Sequence, residues 1–299
     1  MGSFFTIFAN RWFLRLSAVA LISIIEILSI SMASADTKPT RIVSINLCTD
    51  QLLLQLVGHK RIASVTYLAA DPYISYSANR AVGLVKNHGL AEEVIELRPD
   101  LILAGAFTSR PTTSLLKKLG YRVIEFKMAG SFETLRQNII KAGEVLDEEK
   151  KARRLVAQFD TALGRVVAPN GRLVSAIILQ PNAAGAGNVS LLDDIFRAAS
   201  LTSISLGQGI LGIGWLTLDQ VIWAQPELII SDMEPRWPSL GHLAMRHPAY
   251  RAIRDKQGRV PSRVNLPANL WNCGGPQIAK AVSILAKARA AALNLRENR

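Results

Sequence analysis

Cysteine is nearly absent from this 299-residue chain, and the two that occur, Cys48 and Cys273, lie near opposite ends. Neither sits in a CxxC or CxxH pair, which excludes the usual structural zinc sites. Histidine is also scarce: His59, His88, His242 and His247 stand apart, and the last two are five residues from each other, off the spacing that shares a helical face. Surface or packing roles are expected for them, and no metal site or cofactor is assigned. No Gly-x-Ser-x-Gly elbow and no HExxH occur, so two common hydrolase signatures are missing. Adjacent acids such as Glu92-Glu93 and Asp193-Asp194 diverge rather than converge for acid/base chemistry. The formal charge is +12, yet Lys and Arg are scattered with no basic run. Nucleic acid is therefore not an expected partner, while anionic ligands and membrane surfaces remain compatible.

The first 35 residues read as an export leader. Arg11 and Arg15 form a positive start, an apolar stretch runs from Leu16 to Met32, and Ala33-Ser34-Ala35 supplies small residues for cleavage after Ala35. Glu26 and several serines interrupt the stretch, which is also short for a membrane span; a retained anchor is the alternative. No cysteine sits near the cleavage point, which argues against a lipid anchor. The mature chain, 36–299, keeps a formal charge of +11 and is long enough for two domains. Exported to an oxidising compartment, its two thiols face a choice between one long-range disulfide and two free thiols.

Short apolar runs alternate with amphipathic segments, which signals α/β layering. Strands are expected at 41–46, 61–66, 100–104 and 121–126, with helices over 49–57, 90–97 and 111–119. From Ser131 to about Val167 the sequence reads as nearly continuous helix, with a break or kink at Gly143 and Asp147 and Asp147 capping the second segment. No Gly/Ser/Pro-rich tether appears there, so the segment reads as a strut. The alternation resumes with strands at 172–179, 227–232 and 263–269, a helix over 191–199, and a last helix opened by Gly274-Gly275-Pro276. The expected organisation is an N-terminal lobe over 36–130, a linking helical segment over 131–170 and a C-terminal lobe over 171–299.

One unit occurs twice. EEVIELRPDLIL spans Glu92–Leu103, and DQVIWAQPELII spans Asp219–Ile230, 127 residues later. Each begins with an acid, continues Val-Ile, places Pro eighth and ends acid-Leu-Ile-apolar. Physically this is a short helix with an acidic start, terminated before proline and followed at once by a buried parallel strand. Two copies on either side of the strut imply two lobes built alike.

In this order RIVSIN, EEVIELRPDLIL, YRVIEF, DEEKKARRLVAQFDTAL, DQVIWAQPELII, HPAYRAIRDKQGRV and Trp271 with Gly-Gly-Pro resemble the periplasmic binding proteins for vitamin B12, haem and ferric siderophores. The likeness covers 41–296. It implies two Rossmann-like α/β lobes joined by a single long backbone helix, with the ligand cleft between them. It implies a receptor, not an enzyme, that delivers an iron chelate or corrinoid to an ABC importer permease and its ATPase, and that acts as a monomer. An exported scavenger without a permease, or less readily a secreted hydrolase, are the competing readings. By position, Glu92 and Asp219 are the acids that would meet permease arginines, with Glu93 as an alternative on the first lobe. Asp219 is shorter than the glutamate usual there.

In α/β folds the cleft is lined by loops at the carboxyl ends of strands. That rule selects Asn46, Tyr67, Tyr73, Tyr76, Phe107, Arg110, Asn182, Trp215, Arg236, Trp237 and Trp271 as candidate ligand contacts. Flat aromatic walls suit corrins, porphyrins and aromatic chelates, and Arg110 and Arg236 suit carboxylates. Trp223, inside the second repeat, reads as core. If the Asn46–Thr49 and Trp271–Gly274 loops face each other, a Cys48–Cys273 bridge would tie the lobes at the cleft.

Overall fold

Two parallel sheets carry the architecture of the computed structural model, which describes residues 38–166, 171–180, 184–186, 190–204, 213–215, 217–231 and 247–297. The expected leader, its cleavage point, Asn182, Arg236, Trp237 and His242 lie outside these. The first sheet orders its strands β3-β2-β1-β4-β5: β1 Ile42–Ser44, β2 Ile62–Thr66, β3 Lys86–Asn87, β4 Leu101–Gly105 and β5 Val123–Phe126. The second orders them β11-β10-β6-β8: β6 Val174–Leu179, β8 Leu201–Ser203, β10 Leu228–Ser231 and β11 Ser262–Asn265. Every pairing in both is parallel. A small antiparallel ribbon joins β7 Ala184–Ala186 to β9 Ile213–Trp215.

The helices are α1 Leu47–Leu56, α2 Ala91–Glu96, α3 Arg110–Lys118, α4 Phe132–Leu146, α5 Glu149–Gly164, α6 Leu191–Ala198, α7 Leu218–Trp223, α8 Ala249–Ala252 and α9 Ile278–Glu297. They cover both faces of the central strands, so every residue of β1 and β4 is buried. That is why those strands read as unbroken apolar runs rather than alternating ones.

The middle of the chain departs from a continuous rod. Helix α4 ends at Leu146, and Asp147 adopts a left-handed φ of 55°. Asp147 therefore caps the end of the first segment instead of the start of the second, because an Asp tolerates the left-handed turn needed to reverse the chain. Helix α5 then runs back along α4. Arg136 pairs with Asp160 at 2.8 Å, and the Phe132 and Phe159 rings meet edge-on at 5.5 Å. Gly143 permits the close crossing, since a Cβ there would lie 2.4 Å from that of Ala152. Arg61 fastens the turn, donating to Glu148 at 2.8 Å, the Leu146 carbonyl at 2.6 Å and the Pro39 carbonyl at 2.7 Å. Helix α5 alone leads onward toward the second sheet, and its 16 residues span about 24 Å.

The repeated unit folds the same way twice. Val94 and Val221 are both fully buried, and Pro99 and Pro226 are buried too. Arg98 and Gln225, just before those prolines, take left-handed φ values of 44° and 48°. The acid after each proline pins its sheet. Asp100 accepts from the amides of Thr40 and Arg41, at 2.6 and 3.0 Å, and Glu227 accepts from the Ser175 amide at 2.8 Å. Trp223 corrects an expectation: it is 82% exposed rather than core. It stands two positions past the buried Val221, roughly 200° around the helix, where the first repeat carries the exposed Glu96.

Candidate interlobe binding site

Strand order reverses between β1 and β4 in the first sheet, and the crevice beyond their carboxyl ends is where such folds place a ligand. The chain leaves β1 and enters α1 at once. Asn46 caps that helix, its Oδ1 accepting from the Cys48 amide at 3.0 Å. Thr49, buried, donates to the Asn46 carbonyl at 3.0 Å and bonds Ser44 Oγ at 2.8 Å. β4 ends on Gly105, where a Cβ would collide with the Asn46 side chain at 2.5 Å. Glycine is thus needed for the two loops to approach. Asp50 lies one residue deeper, fully buried, and accepts from the Thr66 amide at 3.2 Å and the Thr66 hydroxyl at 2.5 Å. Burial pushes its carboxyl up to about 7, against the pull of the Thr66 and Ser44 hydrogen bonds and the more distant Lys86 ammonium.

These loops form one wall of a pocket of about 210 Å³. Asn46, Gly105, Phe107, Phe126 and Met128 come from the first lobe. The facing wall is Ser190, Leu191 and Leu192 at the start of α6, together with Trp271–Gly274. The lining is mostly apolar, with Lys127 and Asn138 among its few polar members. Phe107 is 80% exposed and Met128 53%, so large apolar groups stand open to solvent at this crevice. Such groups suit a broad, largely apolar ligand surface.

The disulfide Cys48–Cys273 closes the pocket's edge, with Cα atoms 5.1 Å apart. Gly274 next to it packs so tightly on the first lobe that a Cβ would sit 2.6 Å from that of Ala129. Further bonds cross nearby. Asn269 donates to the Pro72 carbonyl at 2.7 Å, and Lys280 donates to the Tyr76 hydroxyl at 2.6 Å while lying over its ring. On the other side Asp194 of α6 accepts from the Phe132 amide at 2.6 Å, capping α4 from the opposite lobe.

The candidate contacts divide accordingly. Asn46, Phe107 and Trp271 line the pocket, as do both cysteines. Tyr67, Tyr73, Tyr76 and Arg110 are absent from its lining. Tyr76 is held by Lys280, and Tyr67 stacks on His88 with ring centres 5.1 Å apart. Trp215 is described only through its backbone, opposite Ala184 in the ribbon. Sequence reasoning missed Met128, Leu191 and Leu192. The carboxyl-end rule, applied to β5 as it was to β1 and β4, would have selected Lys127–Ala129.

The acids of the repeats also separate. Glu93 is engaged by His88, whose amide and Nδ1 bond its carboxylate at 2.6 and 2.8 Å and hold it below the usual range. Glu92 is exposed and carries no such bond among the described residues. Asp219 is likewise exposed at the start of α7, its carboxyl lowered by a bond from the Thr217 side chain. Thr217 and Gln220 close a capping box beneath it.

Comparison with known proteins agrees with this geometry. A search of curated protein sequences returns no match. Among solved structures, the periplasmic haem-binding protein RhuT of Roseiflexus sp. RS-1 superposes with a TM-score of 0.69 at 20% identity, covering 84% of this chain and 98% of that one. The vitamin B12-binding protein BtuF of Vibrio cholerae gives 0.66 at 16% identity, covering 86% and 98%. The molybdate-binding protein MolA of Haemophilus influenzae gives 0.66 at 15% identity, covering 86% of each. At these identities the likenesses establish the two-lobed α/β fold. The family model described as periplasmic binding protein matches residues 42–234, and the chain belongs to that family.

Proposed function

We propose that the protein is a periplasmic receptor that binds a ferric chelate, either siderophore or haem, or a corrinoid between its lobes and delivers it to an ABC-type importer. The observation that carries this reading is the mostly apolar interlobe pocket at the carboxyl ends of β1, β4 and β5, faced by Trp271 and α6. A large, flat or bulky cargo with a mainly apolar surface gains most from such walls, and few polar groups are needed to orient it. Solved relatives of the same fold that bind haem and vitamin B12 support the cargo class. MolA, of the same fold, is bound to molybdate, so that small oxyanion joins the test.

Glu92 and Asp219 are the proposed docking acids. The support is their shared position in the two repeats and their exposure, with Glu93 occupied by His88. Residues of neither group are assigned a catalytic role.

The test is a thermal-shift and tryptophan-fluorescence panel of haemin, cyanocobalamin, a ferric catecholate, a ferric hydroxamate and molybdate. A true cargo at a hundred times its Kd adds about 2.7 kcal/mol of stability, a rise of roughly 5 °C. It should also quench emission through Trp271. Unchanged melting and fluorescence across the four large cargoes sinks the cargo class.

A further inference from the structure

The interlobe contacts named above lie along one seam, and only one of them is covalent. Asp194 on Phe132, Gly274 on Ala129, Asn269 on Pro72 and Lys280 on Tyr76 are reversible contacts, whereas Cys48–Cys273 is a bond. Helix α5 already connects the lobes once through the chain. Two bodies joined at one place rotate about three axes, but joined at two they keep only the rotation about the line through both joints. Each cysteine is also set in a rigid frame. Cys48 is the second residue of α1, whose start is fixed by the Asn46 cap and the Thr49–Ser44 bond. Cys273 is 2% exposed and flanked by Gly274, which has no room for a side chain against Ala129. Both cysteines belong to the pocket lining itself.

We infer that the Cys48–Cys273 disulfide is the spacer of the binding pocket. It holds the Asn46–Thr49 wall and the Trp271–Gly274 wall at one separation, so the pocket stands formed before cargo arrives. Cargo then binds a prepared slot instead of drawing two loose lobes together, which spares the cost of ordering them. The gain in cargo affinity rests on the receptor reading above; the fixed separation does not.

The experiment uses the mature protein without cargo, so the two readings fail separately. Iodoacetamide added to denatured, unreduced protein should label neither cysteine; two adducts overturn the proposal. Amide hydrogen exchange is then compared with a Cys48→Ser/Cys273→Ser variant. At labelling times too short for β4 and β10 to exchange in either protein, peptides covering 47–57, 71–77 and 268–277 should exchange at least tenfold faster in the variant. Equal exchange in the three seam peptides overturns the spacer. So does exchange of β4 and β10 keeping pace with the seam at those times, which would make the bridge a general staple of the fold. Should the variant not accumulate, the folded natural protein is treated with dithiothreitol, which passes two electrons and two protons to the bridge and closes to its own cyclic disulfide. After alkylation the same peptides are read by the same criterion. A member of the cargo panel that binds the natural protein should bind the variant at least tenfold more weakly, and equal affinity removes the pre-formed pocket. Failure of the whole panel counts against the receptor reading and leaves the exchange result standing.

Discussion

Asp50 makes stability depend on pH in a direction opposite to that of most carboxylates. Its carboxyl is fully buried one residue past the pocket-lining Thr49, and burial raises it from 3.8 to about 7. In the unfolded chain the group ionises near 3.8, so between pH 4 and 7 the folded state holds the extra proton. Stability from this group is complete below about pH 4 and is lost as pH rises through 7. At about 1.36 kcal/mol per pH unit, the loss between pH 5 and pH 8 is about 3 kcal/mol. Asp50→Asn keeps an oxygen for the Thr66 amide and offers its amide to the Thr66 hydroxyl, while removing the charge. Measured against the natural protein, the variant's advantage should grow by about 3 kcal/mol from pH 5 to pH 8, roughly 6 °C in Tm for a chain of this size. Comparing the two proteins at each pH cancels every other titrating group. A difference that stays constant across that range refutes the buried-acid argument. A variant that is less stable at both values to the same extent would show that the carboxylate is needed as an ionised acceptor.

Other consequences are sharper in structure than in chemistry. The Cys48–Cys273 bridge spans a sequence separation of 225, for which chain entropy gives about 5 kcal/mol. Its removal by serine substitution should lower Tm by about 5–10 °C in a melting experiment. Gly143→Ala should destabilise by about 1–3 kcal/mol despite its better helix propensity, because the new methyl meets Ala152 at 2.4 Å. Ala152→Gly added to it should recover most of the loss in urea unfolding, and no recovery would refute the clash. Glu92→Arg with Asp219→Arg should lower Tm by only about 2–3 °C, the loss of two favourable helix-dipole contacts at exposed sites, while abolishing capture of the permease in a pull-down. Retained capture would remove both acids from the docking role.

The sequence was legible where local chemistry and long-range packing agree. Apolar runs over β1, β4, β6 and β10 announced buried parallel strands, and the strands appear within two residues of those bounds. It was less legible where one residue decides between two long-range outcomes. A left-handed Asp147 turns one expected rod into two helices lying side by side, and nothing in the helical periodicity on either side distinguishes a kink from a reversal. The small residue at Gly143 was visible as a helix weakness, but its use as a crossing point depends on Ala152 arriving opposite. The same limit applies to the site. The carboxyl-end rule locates Asn46, Phe107 and Trp271 because their positions follow from topology. It cannot tell that Tyr76 is spent on Lys280, since that pairing depends on a contact between residues 204 positions apart.

The repeat teaches the most about reading such a chain, because its two acids do different things. Position by position, the first eight residues of each copy share one pattern of exposure, from the exposed Glu92 and Asp219 to the buried Pro99 and Pro226. That common pattern reaches Trp223, which a hydrophobicity argument alone buries and its alignment with Glu96 exposes. The ninth residue is again an acid in both, yet Asp100 at the surface and the buried Glu227 each hold an amide of the neighbouring strand. One acid of each unit therefore belongs to the fold and the other is left to the surface. Symmetry between the lobes is enforced at the inner pair by the need to anchor a strand. The outer pair meets a weaker demand, since a carboxylate at a helix start is favoured by the dipole alone, and the proposed docking to a partner spanning both lobes is a second reason for an acid at this equivalent place.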